Sequence, residues 1–142
     1  MPAIFGAGNQ ALAQVRSLAA RGDVMATALM ALMNNTYYLA MTAAAEAGNV
    51  IKVTGQVTDQ DGNAVAGIKD ILFTSKPVAG TGNLSDGGNG TVVAGAASTS
   101  LWMRTDANGN IQVDVANVNA ELNLLVAHLD NGTTELLPLT FA

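Results

Sequence analysis

The 142 residues include no cysteine, one histidine, one tryptophan and three prolines. Each shortage removes a class of explanation. Without cysteine there is neither a disulfide framework nor a thiolate nucleophile, and the redox compartment stays open. One histidine and no cysteine cannot assemble the nitrogen and sulfur ligands that zinc prefers. Charge is scarce too: only 12% of residues are charged, with 6 bases against 11 acids and a net charge of −5. So few cations match a phosphate backbone poorly, which argues against nucleic acid as a partner. The length suits one core built without staples.

What is present falls into two kinds of chain. Residues 1–49 hold two bases (Arg16, Arg21) and two acids (Asp23, Glu46), whereas residues 50–142 hold four bases and nine acids, so the net negative charge belongs to the second part. Within residues 10–20, Leu12, Val15, Leu18 and Ala19 recur at helical spacing; Gly22 is suited to end that helix and Asp23 to cap the next. From Val24 to Ala45 no charged residue occurs, and Ala, Leu and Met, all strong helix formers, dominate. A second helix, apolar nearly all round, is therefore expected. Three covers compete for it. The run is long enough for a bilayer, but Thr27, Thr36, Thr42 and the central Asn34-Asn35 pair argue against a membrane span. A secretion signal would use Arg16 and Arg21 as its basic region and Ala43-Ala44-Ala45 as its small-residue site, yet the leading region is long and Asp23 borders the apolar run. Protein is the favoured cover: the preceding helix, the β part and other copies of the chain. The expected assembly interface is Val24, Met25, Leu29, Met30, Leu32, Met33, Tyr37, Tyr38, Leu39 and Met41.

At Ala47-Gly48-Asn49 helix formers give way to β-branched residues, so a boundary is expected between a helical segment, 1–48, and a β-domain, 49–142. VTGQVTDQDGNAVAGI (53–68) and LWMRTDANGNIQVDV (101–115) each set an Asp/Asn/Gly turn between alternating apolar residues. Ile111, Val113 and Val115 share one face of a strand, while Gln112 and Asp114 share the other. Strands are expected near 50–58, 68–75, 98–105, 110–116, 121–129 and 134–141, with hairpin turns at the two Asp/Asn/Gly stretches. The fold class is mainly β: an antiparallel sandwich preceded by a helical hairpin.

GQVTDQDGNAVAGIKDILFT (55–74) resembles the opening of bacterial immunoglobulin-like domains of the invasin/intimin type. There a strand, a D-x-x-G-N turn and an A-G-hydrophobic step lead into the next strand. AGTGNLS (79–85) looks like the family's Gly-rich crossover, and TDANGNIQVDV (105–115) like its T-D-x-x-G-x strand. The resemblance, over roughly residues 50–130, implies an Ig-like sandwich. A single copy behind a helical front is similar to small structural proteins of tailed-phage virions, which decorate heads or sit on tails and necks. The expectation is thus a non-enzymatic virion protein that assembles with its own copies and neighbouring virion proteins, with exposed loops available for host-surface contact. The alternative is a bacterial surface or secreted adhesion module.

Signals for chemistry are weak. His128 lies in the apolar run LLVAHLD without a nucleophile pattern, and reads as a strand histidine sharing a face with Val126. Asp59, Asp61 and Asn63 have the spacing of calcium-loop oxygens, but Ala64 replaces the required glycine and Asp70 stands where a bidentate Glu belongs, so a turn is expected. Asp106 and Asn108 read the same way. Gly80 to Thr91 lacks the Lys of a phosphate loop and is expected to be a flexible excursion, or else a partner contact. Trp102, between Leu101 and Met103, is expected in the core. No catalytic residue, metal or cofactor is expected.

Overall fold

The computed structural model describes residues 36–79, 83–95 and 99–142, together with the single positions Arg16 and Met25. The strands are β1 Tyr38–Ala43, β2 Val50–Thr58, β3 Asp70–Pro77, β4 Asn83–Asp86, β5 Thr91–Ala94, β6 Ser100–Arg104, β7 Asn110–Ala116, β8 Leu122–Leu129 and β9 Thr134–Thr140. They form two antiparallel sheets, ordered β1-β2-β7-β4 and β5-β6-β3-β8-β9. Between them lies one core. Alternation sends Ile51, Val53 and Val57 of β2 and Ile111, Val113 and Val115 of β7 inward, where they meet Ile71, Phe73, Leu101, Met103, Leu125 and Ala127 of the other sheet. Each of these side chains other than Ala127 contributes about 1.5–3 kcal/mol by leaving water.

Order β1-β2-β7-β4 reproduces the A-B-E-D sheet of an immunoglobulin-like sandwich, and β3-β8-β9 its C-F-G sheet. One feature differs: β4 joins the first sheet before the chain returns to add β6 and β5 beside β3. All six expected strands are present, as β2, β3, β6, β7, β8 and β9. Three more strands form where none is expected.

The largest departure is at β1. Helix was expected to Ala45, but Tyr38–Ala43 is a strand paired with β2, Leu39 opposite Val57 and Met41 opposite Gly55. Helix propensity yields to tertiary context: Tyr37, Leu39 and Met41 alternate, so an extended chain delivers all three toward the core. Ala47-Gly48-Asn49 is accordingly the turn of the β1–β2 hairpin, closed by paired bonds between Ala47 and Val50, and the boundary expected at 48/49 falls inside it. Arg16 and Met25 have helical backbone; the rest of the expected helical hairpin up to residue 35 lies outside the described residues.

The two Asp/Asn/Gly turns are not hairpins between paired strands. Each carries the chain from one sheet to the other, β2 to β3 and β6 to β7. Their chemistry is nonetheless identical. Asp59 Oδ1 accepts the backbone N–H of Asp61 (2.9 Å) and Asn63 (3.0 Å), and Asp106 Oδ1 accepts those of Asn108 and Asn110 (both 2.9 Å). The two turns touch: Val57 N–H donates to Gly109 O and Gly67 N–H to Ala107 O, while Thr105 Oγ1 accepts from Lys69 N–H and donates to Gly67 O.

From Asn83 onward the glycine-rich excursion is structured. It contains β4 and leads into β5, and a side chain at Gly90 would place its Cβ 2.4 Å from Arg104 O. Its glycines therefore permit close backbone approach. Residues 80–82 lie outside the described set.

Candidate binding face on the five-stranded sheet

Strand alternation that fills the core also decides what points outward. On β6, Leu101 and Met103 take the inward positions, so Trp102 must face out and is 39% exposed, contrary to the expected core role. Register places Leu72 of β3 beside Trp102 on one side and His128 of β8 on the other. The next row runs Ser100, Thr74, Val126 and Leu136. The outer face therefore carries an apolar band in which Trp102, Leu72 and Leu136 are exposed and Val126 is buried, where a one-sided sheet would carry polar residues.

At one end of the band lies an open groove of about 420 Å³, lined by Asp70, Leu72, Trp102, His128, Leu129 and Asp130. Its rim is held by one ion pair, hydrogen bonds and a cation–ring contact. Arg104 Nε donates to Asp70 Oδ1 at 2.7 Å. Tyr37 Oη donates to Asp130 Oδ1, and Lys69 Nζ stands 4.8 Å from the Tyr37 ring centroid. His128 Nε2 and Thr74 Oγ1 lie 3.4 Å apart. His128 is thus an exposed residue of an interior strand, sharing its face with Val126 as the alternation implies.

The residues expected to form an assembly interface are scattered. Tyr37 and Leu39 are buried in the sandwich core, Met41 packs partly against it, and Tyr38 is half-buried in β1. The interface reading fails for Tyr37 and Leu39, because the core already covers them. Met25 is exposed; Val24, Leu29, Met30, Leu32 and Met33 lie outside the described residues. In the sequence the residues of the groove stand out only separately or not at all. The legible signal was alternation through Leu101-Trp102-Met103, which allows only two of the three to face one way.

The turn carboxylates form no metal cage. Among the described residues no group of three His, Cys, Asp or Glu side chains could hold a metal ion, and no helix is long and apolar enough to cross a membrane. Asp59 has its carboxyl held below the usual aspartate range, chiefly by the Asn63 N–H that it accepts.

No family model and no curated protein matches the sequence. Among solved structures the chain is similar to part of the β-glucuronidase of Parabacteroides merdae, in two structures: TM-scores 0.49 and 0.50, identities 18% and 16%, over 72% and 73% of this chain. It spans only 12% of that enzyme's length. It is also similar to a conjugative transposon lipoprotein of Bacteroides eggerthii, with TM-score 0.42 and 9% identity over 74% of this chain and 93% of that one. The likeness to the glucuronidase concerns the fold alone.

Proposed function

We propose that the chain is a non-catalytic binding module of a bacterial surface or secreted protein, acting through the outer face of its five-stranded sheet. The exposed apolar side chains Trp102, Leu72 and Leu136, with the groove beside the first two, carry the reading. The fold does not need apolar side chains there; a partner does, because covering them recovers roughly 25 cal/mol per Å². The rim supports binding rather than turnover, since Asp70 is engaged by Arg104 and Asp130 by Tyr37. The resemblance to bacterial Ig-like domains supports the location. A phage decoration or tail subunit is the weaker reading, because its proposed anchor loses Tyr37 and Leu39 to the sandwich core.

Protease treatment of intact cells of the encoding bacterium, followed by immunoblotting of cells, medium and sedimented phage particles, tests the location. Chain in the medium, or removed from cells by protease, is the expected result. Recovery with phage particles, or full protection inside cells, overturns it.

A further inference from the structure

The groove offers a specific mixture of chemistries. Its lining sets the apolar Trp102 and Leu72 beside Asp70 and His128, and no hydrogen bond among the described residues engages the Trp102 indole N–H, the second oxygen of Asp70 or Nδ1 of His128. These are a donor, an acceptor, and a nitrogen that serves as either according to tautomer. Formal charge around the groove cancels, because Asp70 and Asp130 are matched by Arg104 and Lys69, the first pair in direct contact and the second linked through Tyr37. An ionic ligand finds no net counter-charge there. A neutral ligand with one apolar face and a rim of hydroxyls matches every element. A pyranose ring is such a molecule: its C–H face stacks on an aromatic ring, and each hydroxyl both donates and accepts. The volume, about 420 Å³, lies within the roughly 300–1,000 Å³ of small-ligand sites.

We propose that this groove binds a neutral saccharide, one pyranose ring lying on Trp102 and Leu72 with its hydroxyls bonded to Asp70, His128 and the indole N–H. The inference rests on the reading of this face as a binding surface and names its ligand class. The open shape leaves part of the ring in water, so the site is weak and allows a longer glycan to continue along the sheet toward Leu136.

Trp102 is the sole tryptophan, so its emission reports the groove directly. The full chain is titrated with galactose, mannose, N-acetylglucosamine, maltotriose, cellotriose and xylotriose up to about 100 mM, with choline and acetate as cationic and anionic controls. A saturable change with at least one saccharide is expected, with a dissociation constant on the order of 1 mM, and none with choline or acetate. His128→Ala and Leu72→Ser change outward-facing residues and spare the core; each is expected to weaken that binding by roughly 3–10-fold without altering circular dichroism. A flat response to all six sugars, saturation by choline or acetate, or undiminished binding in both variants overturns the proposal. So does an emission change driven by protein concentration alone, which would make the face an interface between copies. Each of these outcomes leaves the surface location to be judged by the protease experiment.

Discussion

Asp59 and Asp106 hold their turns by the same means, a carboxylate oxygen accepting two backbone N–H groups two and four residues ahead. At Asp59 the bonds favour the ionised form, chiefly the one from Asn63 N–H, and its carboxyl titrates below its ordinary range. A depressed folded pKa stabilises the protein above the unfolded value of about 3.9, and the contribution is lost as pH falls through the folded value. Melting temperatures recorded from neutral pH down through this window should therefore fall more steeply for the wild type than for Asp59→Asn. Equal slopes would remove the linkage. Gly109 makes a sharper demand: its φ is 78° and an added Cβ would lie 2.3 Å from Val65 O. Gly132 has a similar φ of 89° but open space around it. Urea titration should show Gly109→Ala costing more than about 2 kcal/mol and Gly132→Ala only about 1 kcal/mol. The Asp/Asn/Gly composition of these turns was legible residue by residue. That they span the sheets was not, because a local bond pattern carries no record of where the next strand pairs.

Strands with three or more alternating apolar positions were readable: β2, β7 and β8 bury Ile51/Val53/Val57, Ile111/Val113/Val115 and Leu125/Ala127/Leu129. Strand β4 was not, since NLSD buries only Leu84 and is flanked by glycine. Strand β1 reads as helix from the sequence because Leu, Ala and Met favour helix in isolation, while the partner that extends them is β2. That pairing can be tested at Gly55, whose added Cβ would fall 2.9 Å from both Leu39 Cδ1 and Ile111 Cγ2. Gly55→Ala should cost roughly 1–3 kcal/mol from overpacking, and less when combined with Leu39→Ala, which makes room. Strict additivity in the double-mutant cycle would mean that β1 does not lie beside β2 as described. The same element-level rule exposes Trp102: three consecutive large apolar residues on a strand cannot all be buried on one face.

One core unites chain segments far apart in sequence. Tyr37 and Leu39 come from one end of the described stretch and Phe141 from the other, all within the same cluster. Phe141 lies beyond β9, is 2% exposed, and donates its N–H to Glu121 O at 3.0 Å. Phe141→Ala should lower stability by about 3–5 kcal/mol, with Trp102 emission and far-ultraviolet circular dichroism changing together in urea. A loss within about 0.5 kcal/mol would show the residue to be peripheral. The amino-acid sequence by itself determined the antiparallel β class, six of the strands, the inward residues of the long ones, and the absence of a cysteine framework, because alternation and turn chemistry act between near neighbours. Tertiary structure alone decided that β1 is a strand, that the paired turns cross between sheets, and that Trp102, Leu72 and His128 meet on an outer face. Those outcomes depend on which strands lie side by side, and pairing between distant segments is settled only when the whole core closes.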